Sequence, residues 1–267
     1  MNEKRTYAPK GKALFIRVFA LTLAVFIALS LCSCGKSGGS SDTEETSSAG
    51  KSESEKKGPE MVVRGKYTLD ADYSRLLLVN AEYPLPEDYD YGWNIIEFDA
   101  SYSNNSDKLM HRIDAGVWPY MQAMVEAARE DGVDLCVWSP YRTYEMQERL
   151  FKNRVNKEGG DEAKAAQAVA RPGTSEHNTG LCADFNMASS RFEKTEMFTW
   201  MCEHAQDYGF ILRYPEKKID ITGVMYESWH WRFVGINRAK EINNLNVTLE
   251  EYIKLKKLEP QADLYKG

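Results

Sequence analysis

Residues 35 to about 60 are rich in Ser, Gly, Glu and Lys and show no apolar periodicity. A stretch of that composition cannot bury enough surface to offset its chain entropy, so it reads as a disordered, flexible tether. It divides the chain of 267 residues into a short N-terminal piece and a body, residues 61–267. Only the body is long enough to enclose a core, and its length fits one compact domain.

The N-terminal piece, residues 1–34, reads as an export signal. Lys4, Arg5, Lys10, Lys12 and Arg17 supply positive charge around the start of an uncharged apolar run, residues 18–31. At about fourteen residues this run has the length of a signal h-region and is short for a spanning helix. It ends in Leu31-Cys32-Ser33-Cys34-Gly35. That ending resembles the bacterial lipobox, which makes Cys34 the expected lipidated residue. A diacyl anchor there would hold the body on the outer face of the cell membrane. An uncleaved anchor or a plain secretory signal would export it equally.

The formal net charge is -6, and no basic stripe or cluster runs through the body. Nucleic acid is therefore not an expected partner. Cys136, Cys182 and Cys202 show no CxxC spacing and no even-numbered framework. They read as buried thiols, with one disulfide plus a free thiol as the alternative. Nothing in the sequence calls for an oligomer, and a monomer is the default.

Periodicity gives a coarse map of the body. Residues 76–79 look like a short apolar strand before a Pro-punctuated loop. Asp114 is a candidate cap for a helix to Glu130. Val117, Tyr120, Met121, Met124, Val125 and Ala128 would form its apolar face. Further helices are expected over residues 143–156, 161–170 and 195–208. Thr248 with Glu251 reads as a capping box opening a last helix. Strands are expected over 133–138, 181–185, 210–213 and 229–234. Short strands mixed with helices predict an α+β domain with a small central antiparallel sheet flanked by helices.

Two of the four histidines stand in unusual company. His177 lies between Gly173 and Gly180 and precedes Asp184 by seven residues. A carboxylate inside Leu-Cys-Ala-Asp-Phe is costly to bury alone, so a cation or a hydrogen-bonding partner is expected there. His230 follows Glu227 by three residues and sits between two tryptophans. Strand alternation would put His230 on the face opposite Trp229 and Trp231. Two imidazoles and one carboxylate match a catalytic zinc site with an open fourth position. Glu227 could then act as general base on a water held there. Each piece alone is weak: a loop His is more often a surface residue, and a strand Asp is more often in a salt bridge. His111 and His204 lack such surroundings and read as structural.

Together these segments resemble the VanY-type D-alanyl-D-alanine carboxypeptidases and the similar LdcB-type L,D-carboxypeptidases. The resemblance rests on VNAEYPLP, SPYRTYEMQ, ARPGTSEHNTGLCADF, YGFILRYP and ITGVMYESWHWRFVG, in that order. It implies a compact α+β domain that binds Zn2+ through His177, Asp184 and His230, with Glu227 as base. It also implies that Arg142 stabilises the oxyanion or binds a substrate carboxyl group. Gln147, Ser175 and Tyr214 fall where such enzymes hold the peptide end. The implied activity is removal of D-alanine from peptidoglycan stem peptides. L,D-cleavage of the tetrapeptide and dipeptidase action are the near alternatives. A non-catalytic wall-binding module and a metal-carrying lipoprotein are the distant ones. Two positions depart from the pattern: Pro140 where Gly is common, and Cys182 where an apolar residue is usual.

Overall fold

The computed structural model describes residues 59–264. The signal segment, Cys34 and nearly all of the tether lie outside the described residues.

Strands β1 (Met61–Arg64) and β2 (Tyr67–Asp70) form a hairpin. A second pair joins β3 (Ile95–Glu97) to β4 (Arg112–Asp114), also antiparallel. The central sheet contains β5 (Val137–Ser139), β6 (Cys182–Phe185), β7 (Phe210–Leu212) and β8 (His230–Phe233). Its order is β5-β6-β8-β7, with every pairing antiparallel. Seven α-helices are found among the described residues. They are α1 (Trp118–Glu130), α2 (Tyr144–Lys157), α3 (Glu162–Ala166), α4 (Glu196–His204), α5 (Ile219–Thr222), α6 (Ile236–Leu245) and α7 (Leu249–Lys256). This is the α+β arrangement expected. No helix among the described residues is long and apolar enough to cross a membrane.

The sheet has two faces of opposite character, because successive side chains on a strand point to opposite sides. Ala183 and Phe185 of β6 and Trp231 and Phe233 of β8 enter the main core. The apolar stripe of α1 packs into the same core: Tyr120, Met121, Met124, Val125 and Ala128 are all buried. Fully burying one such side chain contributes roughly 1.5–3 kcal/mol, so this face anchors the sheet. The alternate residues Cys182, Asp184, His230 and Arg232 are just as buried but are polar or ionisable. That second face gathers the ionisable groups.

Several local expectations are corrected. Residues 76–79 are buried but join no ladder; the Leu77 carbonyl accepts from Arg232 Nη2 at 2.7 Å. Asp114 does not cap α1, whose cap position is Val117. It lies in β4, accepts from Gly116 N at 2.8 Å and Asn94 Nδ2 at 3.0 Å, and pairs with Arg75. The strand expected over 133–138 is confined to β5, and the helix expected over 161–170 ends at Ala166. Helix α6 was not anticipated; its buried residues are only Ile236, Ala239 and Ile242, a thin stripe in a polar segment. The capping box of Thr248 and Glu251 is present. All three body cysteines are free thiols, but Cys202 is exposed rather than buried.

Candidate active site

The β6–β8 register places Asp184 directly opposite His230. Two residues 46 positions apart thereby become cross-strand neighbours, with His230 Nδ1 at 3.3 Å from Asp184 Oδ1. His177 arrives from a 3-10 turn, Glu176–Thr179, that ends at Gly180 with φ +70°. A Cβ at Gly180 would lie 2.8 Å from the Asp114 backbone nitrogen. Glycine is required there for the His177 loop to seat against β4. His177 Nε2 then lies 3.4 Å from the same Asp184 Oδ1.

Hydrogen bonds on the far sides of the rings fix which nitrogens face inward. His177 Nδ1 donates to the Pro140 carbonyl at 2.6 Å. His230 Nε2 points at Glu176 Oε2 at 3.5 Å. The unprotonated nitrogens of both rings are therefore turned toward Asp184 Oδ1, which is buried and has no hydrogen-bond partner. Three lone pairs converging in a buried space need a cation between them. Two imidazoles and a carboxylate are a donor set suited to zinc. The same pull acts on protons: burial opposes charge on both rings, yet both pKa values rise because of Cys182 and Asp184.

Glu227 reaches the cluster with Oε2 3.7 Å from His230 Nδ1. Burial pushes its carboxyl up to about 7; His230 pulls down and Asp184 pushes up to lesser degrees. Arg142 Nη2 donates to Asp184 Oδ2 at 2.8 Å, and its Nε to Ser139 Oγ at 2.9 Å. Arg142 Nη1 reaches Gln147 Oε1 at 3.3 Å, and Gln147 Nε2 donates to the Ala170 carbonyl at 2.7 Å. Tyr214 packs its ring 4.8 Å from that of His230. Ser175 is buried, and its hydroxyl does not cap the turn that follows. All eight residues singled out for zinc, catalysis or substrate line one cleft of about 320 Å³. Trp229 lines it too, contrary to the alternation argument, because the strand begins only at His230.

Two participants were missed. Glu176 is fully buried, and its Oε1 accepts from Arg213 Nε at 2.7 Å and Arg232 Nη1 at 2.6 Å. Despite burial, those two guanidiniums hold its carboxyl well below the usual range. It presents a fixed acceptor to His230. The signal was available: Arg213 and Arg232 interrupt otherwise apolar strand segments, and buried arginines need a carboxylate. The sequence marks Cys182 as a buried thiol where an apolar residue is usual and gives it no role in the site. It shares a face of β6 with Asp184, and its Sγ lies within 4.8 Å of ring nitrogens of His177 and His230. Burial opposes its ionisation, but the two rings bring the thiol down to about 7.

Residues 110–236 match the family model described as VanY, D-alanyl-D-alanine carboxypeptidase. The YodJ protein of Bacillus subtilis is 40% identical over 204 residues, 73% of each chain. The chain belongs to the VanY family. Among solved structures of similar proteins, the LdcB LD-carboxypeptidase has 37% identity and a TM-score of 0.61. That match covers 68% of this chain and 86% of LdcB. VanYB in complex with D-alanine-D-alanine has 37% identity and a TM-score of 0.57, covering 67% of this chain and 97% of VanYB. A VanY D,D-pentapeptidase variant from a VanB-type cassette, in complex with Zn(II), matches with the same identity and TM-score. It is covered to 98%, against 67% of this chain. The VanY segment contains every site residue from Arg142 to His230. The departure at Pro140 leaves the His177 contact intact, because position 140 contributes its carbonyl to the ring.

Proposed function

We propose that the chain is a zinc-dependent D-alanyl-D-alanine carboxypeptidase that hydrolyses the terminal peptide bond of peptidoglycan stem peptides. The observation that carries this reading is the unpartnered, buried Asp184 Oδ1 facing His177 Nε2 and His230 Nδ1. VanY-family relatives crystallised with D-Ala-D-Ala and with Zn(II) support it.

His177, Asp184 and His230 would hold the metal. When bound, zinc supplies Lewis acidity toward the peptide carbonyl and the attacking water. The chain's own residues perform the rest. Glu227 accepts a proton from the attacking water as its oxygen bonds to the carbonyl carbon. It returns that proton to the amine nitrogen as the C–N bond breaks. Arg142, held in place by Asp184 and Ser139, offers its guanidinium to the oxyanion or the substrate carboxylate. Gln147, Ser175 and Tyr214 position the peptide end.

A second reading, L,D-carboxypeptidase action on the tetrapeptide, is favoured by the likeness to LdcB. Incubating pentapeptide, tetrapeptide and free D-Ala-D-Ala separately, with mass spectrometry of the products, tests the choice. Release of D-alanine from the pentapeptide, stopped by a chelator, is expected. Cleavage of the tetrapeptide alone would favour the second reading. We place the enzyme outside the cytoplasm as a monomer, tethered to the membrane through lipidated Cys34.

A further inference from the structure

Helix α2 forms one wall of the cleft, and its inward face carries more than Gln147. Gln147, Leu150 and Arg154 follow one another at spacings of three and four, and all three line the cleft. A helix rises about 1.5 Å per residue, so Arg154 stands roughly 10 Å along the wall from Gln147. An extended peptide covers that distance in about three residues.

The Arg154 guanidinium has donors to spare. Its Nη2 pairs with Glu158 at 2.9 Å, while Nε is buried without a hydrogen-bond partner. Glu158 is shared with Lys164 at 2.7 Å, and Lys157 lies close enough to lower its pKa as well. Asp161 is occupied in capping α3, accepting from Lys164 N at 2.9 Å. Glu158 and Lys164 thus already pair with each other, so Glu158 is not held by Arg154 alone. A planar guanidinium with unfilled donors beside a peptide-sized cleft suits a carboxylate.

We propose that Arg154 is a specificity residue. It reads a free carboxylate carried by the substrate two or three residues before its C-terminal residue. The proposal rests on the peptidase reading of the cleft, with Arg142 and Gln147 at the scissile end.

The test compares two peptides ending in D-Ala-D-Ala with the zinc-loaded protein. One bears a free carboxylate at that position, and the other bears the corresponding amide. The wild type is expected to favour the carboxylate by about tenfold in kcat/KM, the yield of one charge-assisted hydrogen bond at a partly exposed site. Arg154→Gln brings the ratio close to one, and Arg154→Lys retains part of it. Both variants stay close to the wild-type melting temperature, because Glu158 keeps its pair with Lys164. A wild-type ratio near one overturns the proposal, as does a tenfold ratio that survives Arg154→Gln. If neither peptide releases D-alanine, the D,D-carboxypeptidase reading itself falls, and the proposal falls with it.

Discussion

Replacing Glu227 with Gln is expected to lower kcat by about a thousandfold, in the middle of the range for losing a positioned general base. The substitution keeps the shape and the hydrogen-bonding reach of the side chain but removes its ability to take a proton. His177, Asp184 and His230 are untouched, so the variant should bind zinc as the wild type does. The wild-type rate should also fall as pH drops through the Glu227 pKa, since only the carboxylate can act as base. Burial sets that pKa at about 7 in the metal-free site, and a cation alongside favours the charged form, so the acid limb lies at or below that value. Steady-state kcat/KM against pH checks this, and the residual activity of the variant should lack the limb. An unchanged rate in zinc-replete Glu227→Gln would remove Glu227 from the mechanism.

The same burial has a stability consequence. The carboxyl is raised from 4.5 to about 7 in the folded protein. A raised carboxylate pKa favours folding fully below the unfolded value, and that contribution is lost as pH rises through the folded value. Metal-free wild type should therefore lose on the order of 3 kcal/mol between pH 4.5 and pH 8 from this group. Metal-free Glu227→Gln lacks this contribution, so its loss over the same interval should be smaller by that amount. Denaturant unfolding of chelated samples at the two pH values measures the difference.

The second large effect is expected at Asp184. Its Oδ1 faces two imidazole nitrogens and has no hydrogen-bond partner, while Oδ2 holds Arg142. Asp184→Ala removes one of the three proposed metal donors and frees Arg142. Loss of a donor costs roughly 3 kcal/mol of zinc binding, about two orders of magnitude in affinity. Asp184→Asn leaves an oxygen for Arg142 but removes the charge, so it should also lose zinc while keeping Arg142 in place. Competition for zinc against a chelating indicator compares both variants with the wild type. Equal affinity in all three would place the ion elsewhere.

Much of this site was readable because some residues have no inexpensive alternative role. A carboxylate within Leu-Cys-Ala-Asp-Phe must be compensated, and Gly180 in a tight loop marks a close approach. The face of α1 was equally plain, since six apolar positions at helical spacing leave little choice. What escaped depends on contacts between distant segments. The pairing of Asp184 with His230 follows from strand register, which no local window encodes. Cys182 shares a face with Asp184 by strand alternation, but it meets the two rings only through the β6–β8 pairing and the His177 loop. Residues 76–79 look like a strand because an apolar run cannot reveal that an arginine, rather than a neighbouring strand, takes the Leu77 carbonyl. Glu176 looks like a surface residue until Arg213 and Arg232 are brought against it.

Following D-alanine release while zinc is titrated into chelated wild-type protein puts the convergence of His177, Asp184 and His230 to its most direct trial. Activity should be absent at the start, rise in proportion to added zinc, and level off at one ion per chain. Full activity in the chelated protein, or in Asp184→Ala at the same zinc concentrations, would contradict it.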